Sequence, residues 1–247
     1  MVHDADHCNS DPTPVCVALD VYTEAEALRL VKELEDITPY FKVGPPLLLG
    51  AGPLVIKQMT DRGLKVFLDL KFHDTPATVY SSVLQASELR PWLIDVHALA
   101  GPRALQKAVE AAGQCTAEHR PQLVAVTLLV SHGKHDLPYD LDCDALLEEV
   151  LRLASMAKSA GLDGVVCSAA EAPAVRNAFG PDFLIVTPGV RFSPASRDEY
   201  PSERIATFGD STLHSSSLIV VGRPIITAAS PRAALKRAVS QVAQRSK

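Results

Sequence analysis

From residue 15 onward, short apolar runs alternate along the chain with longer stretches in which apolar residues recur every three or four positions. Runs rich in Val, Ile and Leu are typical of buried parallel strands, whereas the longer spacing is typical of helices with one buried face. The pattern predicts strands over residues 15–19, 40–43, 66–70, 92–97, 123–128, 164–167, 183–187 and 218–221.

The eight predicted β-then-α units fit a single domain of the α/β class. Eight units in 247 residues match a single (β/α)8 TIM barrel, because an open doubly wound sheet usually has fewer strands. The chain is 47% hydrophobic but only 5% aromatic, which indicates an aliphatic core. We therefore expect residues 15–247 to form the barrel and the polar residues 1–14 to form a flexible N-terminal tail.

The charge of the chain excludes several classes of partner, and its cysteines exclude two kinds of structural site. The net charge is −5 and no dense stretch of Lys and Arg occurs, so we expect neither a nucleic acid nor a membrane surface as a partner. The N-terminal residues lack the apolar core of a signal peptide or a membrane anchor. The five cysteines are scattered without a C-x-x-C pair, which argues against a disulfide framework and a zinc cluster. A cytoplasmic location is therefore predicted.

Charged residues are concentrated where the third predicted strand ends. The segment FLDLKFHDTP contains Asp69, Lys71 and Asp74, and two strand residues at a spacing of two leave the same face. Three charges at the end of a buried strand indicate a functional site, because burying an ion is costly unless it is paired. The alternative is a structural ion pair between Asp69 and Lys71, with Asp74 capping a helix predicted over residues 76–89.

Polar residues also follow other predicted strands, at the end of a barrel where active sites lie. Glycine lets an anion approach the backbone, and arginine can bind phosphate through two nitrogens. Arg191, Gly222 and Arg223 are therefore predicted to form a phosphate site. The alternative is that each arginine is an exposed surface residue without a ligand, and it would be favoured if only one of the two arginines were present. The other residues at strand ends are Asp20, Lys42, His97, Thr127, Ser131 and Pro188.

Together these segments resemble the orotidine 5′-monophosphate decarboxylase family, and in particular its bacterial branch. The resemblance rests on motifs in the expected order: VALD, FKVG, DLKFHDTP, IDVHALAG, GLDGVVCSAAEA, VTPGVR and VVGRPI. It implies a (β/α)8 barrel and a homodimer with active sites at the subunit interface. It also implies decarboxylation of orotidine 5′-monophosphate to UMP, the last step of de novo pyrimidine synthesis, without metal or organic cofactor.

The resemblance implies a role for each matching residue. Lys71 would protonate the ring carbon that loses CO2, and Asp69 would lie beside the substrate carboxylate. Asp74 and Thr78 would reach into the active site of the neighbouring subunit. His73 is expected to have a structural role. Asp20 and Lys42 would bind the ribose hydroxyls, and Lys42 would also extend the charged array. Arg191, Gly222 and Arg223 would bind the phosphate. Ser131 and Pro188 would contact other parts of the substrate.

The chain departs from the family's pattern at several positions. The family's usual glutamine, which bridges phosphate and pyrimidine, is absent from the loop after VTPGVR, where Ser193, Ser196 and Arg197 are candidates to replace it. Either Val130 or Ser131 takes the place of a threonine that contacts the pyrimidine. The polar segment FGDSTLHSSS is expected to be irregular. These departures affect the predicted affinity for the substrate more than the predicted reaction.

Two other functions stay open. One is a related decarboxylase or aldolase that acts on a sugar phosphate with a divalent metal, and it predicts sensitivity to chelators. His97 and His132 are too isolated in the sequence to make a convincing metal site, so no metal ligand is predicted. The other is a non-catalytic barrel that binds a nucleotide, and it leaves Lys71 between two acids without a purpose.

Overall fold

Aliphatic strands and amphipathic helices alternate through the computed structural model, which describes residues 14–132, 143–193 and 204–244. Eight parallel strands close into a barrel, and the first pairs with the last, so this sheet has no free edge. The barrel strands are β1 (Val15–Ala18), β2 (Tyr40–Val43), β3 (Lys65–Phe72), β4 (Leu93–His97), β5 (Gln122–Val126), β6 (Gly164–Val166), β7 (Leu184–Thr187) and β10 (Leu218–Val221). A separate pair consists of β8 (Val190–Arg191) and β9 (Ala206–Thr207).

Helices pack around the outside of the barrel. Several begin with proline at the first helical position, where its fixed φ and missing N–H suit the first turn. The helices are α1 (Glu24–Leu34), α2 (Pro45–Ala51), α3 (Leu54–Thr60), α4 (Pro76–Ser87), α5 (Pro102–Ala112), α6 (Cys143–Ala160), α7 (Ala172–Phe179), α8 (Arg223–Ile226) and α9 (Pro231–Ala243), with 3-10 helices at Ala98–Ala100 and Ser211–Ser215.

The predicted (β/α)8 barrel is confirmed. Each predicted strand occurs, and the ends differ from the predicted ends by no more than two residues. The polar segment before β10 was expected to be irregular, and it contains a short 3-10 helix in place of a regular α-helix. Residues 1–13 of the predicted tail lie outside the described residues. Within the described ranges, no helix is long and apolar enough to cross a membrane.

Strand alternation divides the apolar side chains between two clusters. Val15 and Val17 belong to the larger cluster, which lies between the strands and the helices. Cys16 and Ala18 belong to the smaller one, which fills the barrel interior together with Phe67 and other inward-facing residues. Because the interior is packed, a ligand can bind only at an end of the barrel, and barrels of this architecture bind it at the carboxyl ends of the strands.

Candidate active site

Strand β3 carries Asp69 and Lys71 to the carboxyl end of the barrel. Phe67 packs in the barrel interior, and Asp69 faces the same way because strand residues alternate. The pairing between β3 and β4 then becomes irregular, so that three residues of β3 face the single residue Asp95 of β4. Within this bulge Lys71 has a φ of 49°, in the left-handed region. The pairs on either side of the bulge are Leu68 with Ile94 and Phe72 with Val96.

A row of alternating acids and lysines crosses this end of the barrel. Lys42 Nζ lies 3.1 Å from Asp20 Oδ1 and 3.1 Å from Asp69 Oδ2. Lys71 Nζ forms a close ion pair with Asp69 Oδ1. The predicted pairing of Asp69 with Lys71 is therefore present. Because each buried charge has an opposite charge beside it, the row can be partly withdrawn from water.

Burial and neighbouring charges shift the pKa of two members of the row. Burial acts to raise the pKa of Asp69, but the Lys42 ammonium and, with smaller effects, Asp95 and Lys71 outweigh it and hold that pKa below its usual range. Burial acts to lower the pKa of Lys42, but the Asp69 and Asp20 carboxylates outweigh it and raise that pKa. Both groups are therefore charged at neutral pH, and the row supplies a fixed pattern of charge.

The charged row lines a pocket with a volume of about 290 Å³. Basic residues from the ends of β8 and β10 line the same pocket, so it combines a charged row with potential anion ligands. The residues predicted for the chain's own substrate site all line it: Asp20, Lys42, Asp69, Lys71, Ser131, Pro188, Arg191, Gly222 and Arg223.

Asp74 and Thr78 are exposed and do not line this pocket. Asp74 Oδ1 accepts a hydrogen bond from the Thr75 N–H at 2.6 Å, and the hydroxyls of Thr75 and Thr78 lie 3.0 Å apart. To cap α4, the Asp74 carboxylate would have to accept a hydrogen bond from an amide of the first helical turn. No side chain caps this helix, so the capping alternative is wrong. The pocket of one chain therefore lacks two of the residues that the sequence placed at an active site.

The histidines beside the site contact each other and the backbone. The rings of His73 and His97 stack with centroids 5.2 Å apart, and His97 Nδ1 accepts a hydrogen bond from the Leu99 N–H at 3.3 Å. Burial, together with the charges of His73, His132 and Lys71, lowers the pKa of His97 to about 4, so its ring is neutral at pH 7. Among the residues that the structure describes, no three His, Cys, Asp or Glu side chains are grouped as metal ligands.

Sequence reasoning missed Asp95. It is fully buried, and its Oδ1 accepts a hydrogen bond from the Lys71 N–H at 2.7 Å. Its one sequence signal is an acid in the middle of the apolar strand LIDVH.

A buried ion pair near the pocket was also missed. Arg204 lies with its Nε 3.0 Å from Glu171 Oε1, and it donates hydrogen bonds to the carbonyls of Leu129 at 2.6 Å and His132 at 3.0 Å. These bonds hold the loop after β5, which carries Ser131. The ion pair joins residues 33 positions apart and the two carbonyl contacts join residues more than 70 positions apart, so no local pattern indicated them.

Known proteins resemble this chain over nearly its whole length. Residues 13–238 match the model of the orotidine 5′-phosphate decarboxylase / HUMPS family. The chain belongs to this family. Orotidine 5′-phosphate decarboxylase of Laribacter hongkongensis is 42% identical over 223 residues, which cover 90% of either chain. The enzyme of that name from Nitrosococcus oceani is 39% identical over 230 residues, 92% of this chain and 97% of the other. The crystal structure of orotidine 5′-phosphate decarboxylase from Lactobacillus acidophilus shares 36% identity, with a TM-score of 0.76 over 93% of this chain and 99% of that one.

Membership of the orotidine 5′-phosphate decarboxylase / HUMPS family confirms the resemblance that the motifs indicated. The effects of the chain's departures from the family's pattern stay predictions. Val130 and Ser131 both line the pocket, so the pyrimidine contact stays assigned to either. Ser193 is exposed at the end of a described range, and Ser196 and Arg197 lie outside the described residues.

Proposed function

We propose that this chain converts orotidine 5′-monophosphate to UMP and CO2, the last step of de novo pyrimidine synthesis, without a metal or an organic cofactor. The observation that carries the proposal is the row from Lys42 through Asp69 to Lys71, in one pocket with Arg191 and Arg223. The relatives at about 40% identity bear the name of this decarboxylase, whereas the family's name also covers another activity. Cys16, Cys115 and Cys167 are free thiols, which supports a location in the reducing cytoplasm.

Loss of CO2 from the pyrimidine ring is difficult because of where the electrons are left. The electron pair of the broken carbon–carbon bond stays in the ring plane, where the π system cannot delocalise it. Catalysis therefore needs a fixed positive charge and a proton beside that carbon. Lys71 Nζ is proposed to supply both: its proton forms the new C–H bond with this electron pair, and Lys71 then regains a proton from water.

Asp69 is proposed to lie beside the substrate carboxylate. Its lowered pKa keeps it charged, and its two oxygens are held by Lys42 and Lys71. A fixed carboxylate at this point favours departure of the negatively charged group as neutral CO2, while the two ammonium groups favour the carbanion. We assign the larger effect to this preorganised charge and the smaller one to repulsion in the ground state.

The other end of the pocket is proposed to bind the phosphate and ribose. Arg191 is buried and Arg223 follows Gly222, and both arginines line the pocket. A Cβ at Gly222 would lie 2.8 Å from Asp20 Oδ2 and 3.3 Å from Ala18 Cβ, so only glycine fits without displacing the proposed ribose ligand. Phosphate binding far from the reacting carbon can then contribute to the rate of the chemical step.

The active form is proposed to be a homodimer in which Asp74 and Thr78 complete the site of the neighbouring subunit. Two observations support this: both residues are exposed, and neither lines the pocket of its own chain. A two-fold axis would place the start of α4 of each subunit at the pocket of the other. Asp74 would then add a second carboxylate next to Lys71.

The decisive experiment follows the ultraviolet absorbance of orotidine 5′-monophosphate with purified protein in the presence of a chelator. Wild type and Lys65→Ala are expected to be active, because Lys65 lies at the opposite end of the same strand. Lys71→Ala is expected to lose at least about 1,000-fold in kcat, since it removes both the proton donor and a fixed charge. An inactive wild type or a fully active Lys71→Ala would overturn the proposal.

The same assay separates the alternatives. A metal-dependent enzyme acting on a sugar phosphate would leave orotidine 5′-monophosphate unchanged and would turn over its own substrate only without the chelator. A nucleotide-binding barrel would bind UMP, measured by calorimetry, without turning over orotidine 5′-monophosphate.

The shared site is tested by mixing two inactive variants. In a dimer of one Lys71→Ala and one Asp74→Ala chain, one site lacks both residues and the other is intact. Random equimolar mixing makes half of the dimers mixed, so activity should return to about a quarter of the wild-type value. If the mixture stays inactive although the two variants exchange subunits, Asp74 belongs to the active site of its own chain.

A further inference from the structure

Asp95 is a completely buried acid for which the reaction described above has no role. It lies in the middle of β4, where both neighbouring strand positions are apolar and fully buried. The carboxyl oxygens have different surroundings. Oδ1 accepts the Lys71 N–H at 2.7 Å, whereas Oδ2 has no hydrogen-bond donor facing it and lies 3.9 Å from Lys71 Nζ.

The bond to Oδ1 compensates for the bulge in β3. The irregular pairing at the bulge places the Lys71 N–H opposite β4, where the Asp95 carboxyl accepts its hydrogen bond. An N–H without a hydrogen-bond acceptor is destabilising, and so is a non-glycine residue in the left-handed region. The Asp95 carboxyl therefore stabilises the backbone conformation that directs the Lys71 side chain towards Asp69.

The surroundings of Oδ2 favour a proton on it. Asp69 and Asp95 both lie beside the Lys71 ammonium, Asp69 in a close ion pair and Asp95 Oδ2 at 3.9 Å. Two neighbouring ionised carboxylates would repel each other and have no proton to share. Asp69 is paired with two lysines, whereas Oδ2 of Asp95 has only the more distant Lys71. Burial, and then the charge of Asp69, raise the pKa of Asp95 well above its ordinary value.

We infer that Asp95 is a positioning residue that stays protonated: Oδ1 fixes the backbone of Lys71, and the O–H on Oδ2 donates a hydrogen bond to Asp69. The role rests on the proposed decarboxylation, because Lys71 is assigned there as the proton donor. One neutral side chain thereby orients both members of the central ion pair without adding a negative charge beside the lysine. An ionised Asp95 would compete with Asp69 for the Lys71 ammonium.

Asp95→Asn and Asp95→Leu test the two halves of this role. Asparagine keeps an acceptor for the Lys71 N–H and a donor for Asp69, so kcat should stay within about threefold of wild type, with an unchanged pH profile. Leucine has neither group. The Lys71 backbone should relax and move its ammonium, and kcat should fall about 100-fold with little change in KM, as expected for displacement by about 1 Å.

Asp163 provides a matched control. Its Oδ2 also accepts a backbone hydrogen bond, from the Leu123 N–H at 2.7 Å, but it lies at the amino end of the barrel strands. Asp163→Leu should lower the stability without changing kcat. If Asp95→Leu behaves like Asp163→Leu, Asp95 is merely structural and the inference fails.

Two measurements do not depend on activity. At pH 7 the infrared spectrum of wild type should contain the carbonyl stretch of a protonated carboxylic acid, and the spectrum of Asp95→Asn should lack this band. In hydrogen exchange, the Lys71 amide should exchange faster in Asp95→Leu than in Asp95→Asn. A wild type without this band, or an Asp95→Asn variant as impaired as Asp95→Leu, would refute the neutral acid. If wild type fails to decarboxylate while both signals are seen, the proposed function fails and the positioning of Lys71 stands.

Discussion

The buried pair of Arg204 and Glu171 gives the sharpest prediction about stability. Both side chains are about 5% exposed or less. Glu171 Oε1 lies 3.0 Å from Arg204 Nε, and Oε2 accepts the Ser168 N–H at 2.9 Å. Arg204→Met keeps most of the aliphatic volume but leaves the Glu171 carboxylate buried without its cation.

Removing one partner of a buried ion pair costs about 3–5 kcal/mol, a large share of the roughly 5–15 kcal/mol that stabilises a domain. For a chain of this length each kcal/mol lowers Tm by about 2–4 °C, so Arg204→Met should lower Tm by about 6–20 °C. Thermal and urea unfolding followed by circular dichroism measure the effect. Hydrogen exchange should also accelerate in the loop after β5, because the carbonyls of Leu129 and His132 lose their donor.

Two further variants check the cause. Arg204→Met combined with Glu171→Leu removes both charges and should recover the part of the lost stability that comes from the unpaired Glu171 carboxylate, which gives a large coupling energy. Arg29→Met breaks an exposed helical pair with Glu33 and should cost no more than about 0.5 kcal/mol. If Arg204→Met costs as little as Arg29→Met, or if the double variant shows simple additivity, the buried charge is not what stabilises this region.

Three other predictions follow from single contacts. Gly222→Ala should raise KM about tenfold with a smaller effect on kcat, because its Cβ would displace the Asp20 carboxylate; an unchanged KM in steady-state assays contradicts this. Gly164→Ala should destabilise by about 3 kcal/mol or more in urea unfolding, since its Cβ would lie 2.2 Å from the Leu184 carbonyl oxygen of β7, and wild-type stability would contradict the packing. His97 should make stability pH-dependent: its folded pKa of about 4 lies below the ordinary histidine value of 6.5, so the unfolded chain binds the extra proton and stability falls as pH drops from 6.5 to 4. That slope should be smaller in His97→Gln, and an equal slope would contradict the assignment.

The strands and helices could be predicted because each buries a face whose period is visible locally. The apolar run around Phe67 predicts a buried strand, and Pro76 marks the start of α4. The charges of Asp69 and Lys71 also indicated a site, since a buried strand seldom ends in paired ions. Their ion pair was expected from regular alternation, but the strand reaches it through a bulge with Lys71 in the left-handed region.

The sequence by itself therefore determined the barrel, the carboxyl end on which the site lies, and every charged or hydroxyl-bearing side chain that lines the pocket except Asp95. Only the tertiary structure decided which groups meet across the chain. Asp95 reads as a single acid in an apolar strand until β3 and β4 pair and bring its carboxyl to the Lys71 N–H. Arg204 reads as an ordinary surface residue until folding buries it against Glu171. Burial and distance between remote segments set the hydrogen bonds and charge states of these groups, and neither quantity is encoded by local periodicity.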